Sequence, residues 1–259
     1  MIRRNIYSLS VALILLSLYS CHKDPQKGHL IVHMTQKVGD KALELNKMIY
    51  QSPAGHPYQV SKLKYILTEF ELADKDGNTV KYEGGHLTDL TDPSSMAIDF
   101  EVPPGEYTQF SFTYGLSKAN NVKSYLPNTQ AYQNMYWPKT LGDTSVPSAQ
   151  RDPGFHYMQY EGRYDSLGSG VIKVFNLHTG PTYGADNSFV VHLPFSQNVT
   201  IDNNTWEVNL VMDLQEWLQN PNLFDYETFG PAIMPQQAAQ DLLKANGQTV
   251  YSLDQLSEK

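Results

Sequence analysis

From His29 onward the chain reads in steps of two. Leu30, Val32 and Met34 alternate with Ile31, His33 and Thr35, the period of a strand whose successive side chains leave by opposite faces. Lys62 to Leu72 is a longer apolar and aromatic run. It ends at Asp74-Lys75-Asp76-Gly77-Asn78, with Val80 to Tyr82 placed to return as a hairpin partner. Ile98, Phe100 and Val102 lead into Pro103-Pro104-Gly105, after which Phe110, Phe112 and Tyr114 alternate with polar neighbours. That spacing predicts a second hairpin with those three aromatics on one buried face. Further strands are predicted over 156–161, 171–178, 188–195 and 205–214, the last followed by a short turn at Glu216-Trp217-Leu218. One helix stands out: Pro235 at its start, Ala238, Leu242 and Leu243 on one face, and Asn246-Gly247 as a stop.

Eight or more short strands with regular turns read as an all-β fold, an antiparallel β-sandwich or a barrel. The expected architecture is the sandwich, with a short C-terminal helix and one long irregular loop. No repeat and no long Pro, Gly or Ser linker divides residues 29–259, so they are taken as one domain. The loop spans Leu116 to Gly154, roughly 40 residues without a strand pattern and rich in Asn, Ser, Pro and Tyr. A segment of that length in a compact domain is commonly functional.

The first twenty residues carry a different pattern. Arg3 and Arg4 precede an apolar stretch from Leu9 to Leu18, too short to span a bilayer. It ends in Leu18-Tyr19-Ser20-Cys21, which resembles the lipobox of bacterial lipoproteins. The expectation is a signal peptide over 1–20, lipidation on Cys21 and an anchor linker over 21–28. That makes an outer membrane lipoprotein, periplasmic or surface-exposed. Cys21 is the only cysteine. With its thiol lipidated there is no disulfide, no Cys nucleophile, no iron–sulfur cluster and no zinc ribbon, and any metal must be held by His, Met, carboxylate or backbone.

Composition narrows the chemistry further. Nineteen basic against 27 acidic side chains give a net charge of −8, and no Lys/Arg run offsets it locally, so nucleic acid is not a partner. A phosphate-binding glycine loop, a Gly-x-Ser-x-Gly elbow and a His-Glu-x-x-His motif are all missing, and a binding protein is expected rather than an enzyme. Asp74-x-Asp76-Gly77 lacks the twelfth acidic ligand of a calcium loop and reads as a plain turn.

What remains is grouped around the long loop. Met135-Tyr136-Trp137-Pro138-Lys139 lies within it, Phe155 to Gly162 follows it and ends in Glu161-Gly162, and Phe175-Asn176-Leu177-His178-Thr179-Gly180 closes the next strand. In this order, together with the 62–72 strand, Leu87-Thr88-Asp89 and the Pro104-Gly105 hairpin, the chain resembles the MbnP-like family. These are copper-binding extracytoplasmic proteins related to a methanobactin-associated protein. The resemblance implies a β-sandwich that holds copper through two histidines and a tryptophan oxidised to kynurenine, with a di-haem peroxidase-like enzyme as the oxidising partner. Carried over, Trp137 is the oxidised residue and His178 a ligand; the position of His156 at the loop exit makes it our candidate for the second ligand. His33 contributes only if it points toward the loop, because His29 and His33 sit roughly 13 Å apart on one strand face. Two departures from the family pattern stand out: Pro138-Lys139 follows Trp137 where other members carry a nearby His, and Gln36-Lys37 occupies the first strand where a His is expected.

Each candidate also has an ordinary reading: Trp137 as a plug, His178 as a hydrogen-bonded half-buried side chain, His156 packed among aromatics, and Met135 and Met158 as core filler. The alternative function is a surface glycan- or protein-binding module without metal, for which 17 Tyr and 3 Trp supply stacking surfaces. Convergence of Trp137, His156 and His178 favours copper. Scattered histidines beside an exposed aromatic row favour the module.

Overall fold

The computed structural model describes residues 26–259; the expected signal peptide and the expected lipidation site at Cys21 lie outside them. Strands β1 (Gly28–Val38), β2 (Lys41–Ala42), β3 (Tyr50–Gln51), β4 (Pro57–Asp74), β5 (Thr79–Asp89), β6 (Ala97–Val102) and β7 (Gly105–Tyr114) precede the long loop, which contains the single turn α1 (Gln130–Gln133). After it come β8 (Met158–Asp165), β9 (Ile172–Thr179), β10 (Phe189–Ile201), β11 (Thr205–Asp213), helices α2 (Tyr226–Phe229) and α3 (Gln237–Asn246), and β12 (Tyr251–Glu258).

The strands form two sheets, a β-sandwich. The first runs β12-β11-β1, with β6 and β2 following one another along the other edge of β1. The second runs β10-β7-β4-β8-β9, with β3 and β5 also on β4. Alternation dictates the core: Leu30, Val32 and Met34 on β1, Phe110, Phe112 and Tyr114 on β7, and Val208, Leu210 and Met212 on β11 all turn inward and are buried. Phe70, Phe100 and Phe110 pack against one another across the two sheets, with centroids 5.1–6.0 Å apart. The pairing of β1 with β11 is parallel, a departure from a fully antiparallel sandwich; the two strands are separated by most of the chain, so no hairpin constrains their direction.

Strand β4 organises the second sheet. Along one edge its first half pairs with β8 through Tyr65↔Met158, and its second half pairs with β7 from Leu67↔Tyr114 onward. The two ends of the long loop therefore meet over Ile66, whose N–H donates to Tyr157 O (2.9 Å) and whose carbonyl accepts from Gly115 N (2.9 Å). A Cβ at Gly115 would lie 2.3 Å from the Tyr157 ring, and its φ is +74°, so both contact and backbone require glycine. A bulge puts Glu69 at φ +53°, and its carboxylate accepts from Thr113 Oγ1 (2.6 Å), Ser117 Oγ (2.7 Å) and Asn120 Nδ2 (2.5 Å). The start of the loop is thereby tied to the sheet. The Asp74 turn is as plain as expected, its carboxylate accepting from the Asp76 and Asn78 amides.

Helix α3 begins at Gln237, and its buried residues are Ala239, Gln240, Leu243 and Asn246. The inward stripe is thus one position on from Ala238 and includes two amide side chains, because backbone groups under the helix need partners: Gln240 serves the end of β9 and Asn246 the turn at Trp217 and Asn222. Strand β12 follows it and pairs with β11.

Candidate metal centre

His178 stands on β9, cross-strand from Gln159 on β8, and Glu161 lies opposite Lys62 of β4. Period two places Lys62, Gln159, Glu161 and His178 on the face opposite the inward-pointing Tyr160, Leu177 and Phe175. A bare sheet would leave that face in water. Here the long loop lies across it: Gln159 Nε2 donates to Asn134 O (3.1 Å). Residues 135–137 also pair with 154–156 through Trp137 N→Gly154 O (2.9 Å), His156 N→Met135 O (2.6 Å) and the bridge Tyr136↔Phe155. This local two-strand pairing presents Trp137 and His156 side by side.

The three candidate residues converge in a row. Trp137 and His156 meet edge to face with centroids 4.8 Å apart, and His156 and His178 do the same at 5.1 Å. His156 is the middle member, rather than an addition to a Trp137–His178 pair. Trp137 is 2% and His156 6% exposed, whereas the His178 side chain keeps 15% of its surface, so solvent reaches the row from the β9 side. The indole rests on Gly180: a Cβ there would lie 2.4 Å from Trp137 Cε3. The glycine of His178-Thr179-Gly180 is thus the seat of the tryptophan.

Hydrogen bonds assign the tautomers. Met135 O can only accept, so His156 Nδ1 carries the proton (3.1 Å) and Nε2 keeps its lone pair. Glu161 Oε1 accepts from His178 Nε2 (2.9 Å), which leaves Nδ1 as the free nitrogen of His178. The same Glu161 oxygen takes Lys62 Nζ at 2.9 Å. Burial, with the neighbouring His178 adding to it, pushes the His156 pKa down to about 4. Burial likewise outweighs the pull of Glu161 and holds His178 below its ordinary value. Burial opposes ionisation of Glu161, but its bonds to Lys62 and His178 prevail and keep its pKa low. At neutral pH the row therefore offers two neutral imidazoles beside a charge-balanced carboxylate.

The strand end is held by residues with no motif to announce them. Buried Gln240 donates from Nε2 to His178 O (2.9 Å) and accepts at Oε1 from Gly180 N (3.2 Å), and Asn187 Nδ2 donates to Gly180 O (2.7 Å). Gln240, Asn187, Gln159, Glu161 and Lys62 were not legible as site residues, because each acts through a partner set by the fold, and for all but Asn187 that partner is distant in sequence. Only Glu161-Gly162 stood within a pattern already noted.

His33 does not join the row. It lies on β1 of the other sheet, its neighbours Val32 and Met34 are the inward residues, and its Nε2 is 3.5 Å from Glu207 Oε2. The condition that it point toward the loop is not met, because odd positions on β1 face outward. Among the described residues no three His, Cys, Asp or Glu side chains group as a metal cage. What the row provides is two imidazole nitrogens and an indole whose Nε1 is buried and makes no hydrogen bond among the described residues. Ring centroids 5.1 Å apart are within the span of one ion about 2 Å from each nitrogen. That donor set fits a soft ion content with few ligands better than a hard one needing six or more oxygens.

Fold and site together define a two-sheet β-sandwich whose long loop folds across the outer face of one sheet. Among solved structures, MbnP from Methylosinus trichosporium has the same fold, with a TM-score of 0.50 over 88% of this chain and 98% of that chain at 13% identity. The MbnP family model matches residues 27–235, and the chain belongs to the MbnP family. No curated protein matches it.

Proposed function

We propose that this protein is an extracytoplasmic copper carrier, serving acquisition, storage or delivery rather than catalysis, anchored to the membrane by a lipid on Cys21. Cu(I) is its cargo. His156 Nε2 and His178 Nδ1 would hold the ion, with Trp137, or its kynurenine form, as the third contact. Imidazole suits copper, and opening the indole supplies an aryl amine and a carbonyl that indole lacks. The modification would be the work of a di-haem peroxidase-like partner.

The observation that carries this reading is the convergence of three residues from two loop segments and a strand end, Trp137, His156 and His178, in one row that is buried except at His178. Scattered histidines would have favoured the glycan- or protein-binding module. Anaerobic Cu(I) titration against a chromophoric competitor tests it: one ion per chain is expected, with His156→Ala and His178→Ala each losing most of the affinity. Peptide mass mapping of protein from its native host should show Trp137 with one carbon exchanged for one oxygen, and Trp206 and Trp217 intact. Cys21→Ser should release the protein from membranes. A wild-type protein that takes up no copper would overturn the copper reading.

A further inference from the structure

Strands β4, β8 and β9 bring a lysine and a carboxylate up to the back of His178. Lys62 is in register with Glu161, and His178 with Gln159, two residues before Glu161. All three side chains are on one face, and one oxygen, Glu161 Oε1, receives both the Lys62 ammonium and His178 Nε2 at 2.9 Å. A histidine with a carboxylate behind it is fixed in one tautomer and made a better donor through its other nitrogen. That arrangement alone would place a negative charge beside the site and draw in divalent ions. The lysine removes it.

We propose that Glu161 and Lys62 act as a pair on the copper site: Glu161 turns His178 Nδ1 toward the ion, and Lys62 cancels the carboxylate charge so that the site favours a monovalent over a divalent ion. The inference rests on the copper reading above and assigns two positioning residues to it. Its physical basis is the unequal response of the two kinds of ion to one uncancelled charge. A divalent ion feels twice the attraction a monovalent ion does, and partial burial reduces the screening that would otherwise shrink the difference. With Lys62 present, Glu161 adds hydrogen bonding but no net charge. No other carboxylate contacts either imidazole among the described residues, since His156 is held by a backbone carbonyl. Beside burial, the dominant effect, the Lys62 charge acts on both rings in the direction that keeps them unprotonated.

A charge-neutralisation cycle tests the pair, with Cu(I) and Zn(II) as separate probes. Lys62→Met leaves Glu161 uncancelled and should raise Zn(II) affinity about tenfold or more, with a much smaller gain for Cu(I). Glu161→Gln keeps an acceptor for His178 but strands the lysine charge, and should weaken Cu(I) roughly 10- to 100-fold. The double variant is neutral again and should recover Cu(I) binding close to wild type, a rescue that a merely structural contact would not produce. Independent of any metal, ¹⁵N spectra of the imidazoles in metal-free protein should show His178 protonated at Nε2, with that preference lost in Glu161→Leu. Failure of the rescue, or no Zn(II) gain in Lys62→Met, overturns the charge role. A His178 tautomer indifferent to Glu161 overturns the orienting role. Absence of Cu(I) binding in the wild type instead overturns the copper reading and the selectivity with it, and the imidazole spectra still decide the orienting role.

Discussion

The Trp137 indole lies flat against the backbone of Gly180, so close that a methyl group on Gly180 would come within 2.4 Å of Cε3. The tryptophan therefore depends on a missing side chain two strands further along the chain, and the strand end depends on the ring to cover it. Gly180→Ala should cost about 1–3 kcal/mol by overpacking and shift the tryptophan fluorescence. Trp137→Ala should cost about 3–5 kcal/mol. In the double variant the two costs should be clearly less than additive, as measured by chemical denaturation, because the methyl then has nothing to strike. Additive costs would mean the two residues do not share this contact.

Stability should fall with acid in a defined window. His156 has a folded pKa of about 4 against an ordinary 6.5, with burial as the main cause. The unfolded chain therefore takes up the proton first. Its contribution is full above pH 6.5, declines as the pH falls toward 4 and is flat below that, amounting to about 3 kcal/mol in all. His178, shifted the same way, adds to the slope. Denaturation curves between pH 7 and 4 should be steep for the wild type and visibly flatter for His156→Gln.

Gln240 is expected to matter out of proportion to its place on a helix remote in sequence from the row. Gln240→Leu fills the same space but leaves His178 O and Gly180 N without their partner in a buried setting, which costs about 1–3 kcal/mol. Hydrogen exchange gives the local reading: the Gly180 amide should exchange markedly faster, while amides at Phe110 and Phe112 stay protected.

Glu69 makes a separate prediction about the loop. Its backbone is held at φ +53° and its carboxylate collects three donors, two of them, Ser117 and Asn120, from the first turn of the loop. Glu69→Ala keeps the strained backbone and removes the acceptors. Limited proteolysis should then cut within 116–154 sooner than in the wild type, and a mild loss of Cu(I) affinity should follow as the cover over His178 loosens.

The alternation that was visible in the chain is the alternation of the core: Phe110, Phe112 and Tyr114 are buried together, as their spacing requires. Strand β9 and helix α3 also fall within a residue or two of the pattern that announced them. Period two tells which residues share a face and says nothing about which strands become neighbours, so the parallel pairing of β1 with β11 was invisible. So was β12, whose outward residues are polar and whose register slips at a bulge near Asp254. At the site, the family resemblance pointed to Trp137 and His178 and the loop exit to His156, and the structure brings these three rings into one row. Lys62, Glu161 and Gln240 were not, being of residue types that are ordinary on any surface and acquiring meaning only from the strands beside them.

Strand β1 is the first element of the described chain, yet it occupies the middle of its sheet, flanked on one side by residues 97–102 and on the other by residues 205–213. Until the latter arrive, Leu30, Val32 and Met34 have half a sheet to lie in and an open edge beside them. Assembly of this sheet runs counter to the order in which a chain is synthesised or threaded through a translocon. Pairings of such long sequence separation form slowly, and an unpaired apolar strand is a target for aggregation while it waits. A chain halted before residue 205 is therefore expected to need a holding chaperone, whereas one completed through β11 and β12 should close the sheet around its own first strand.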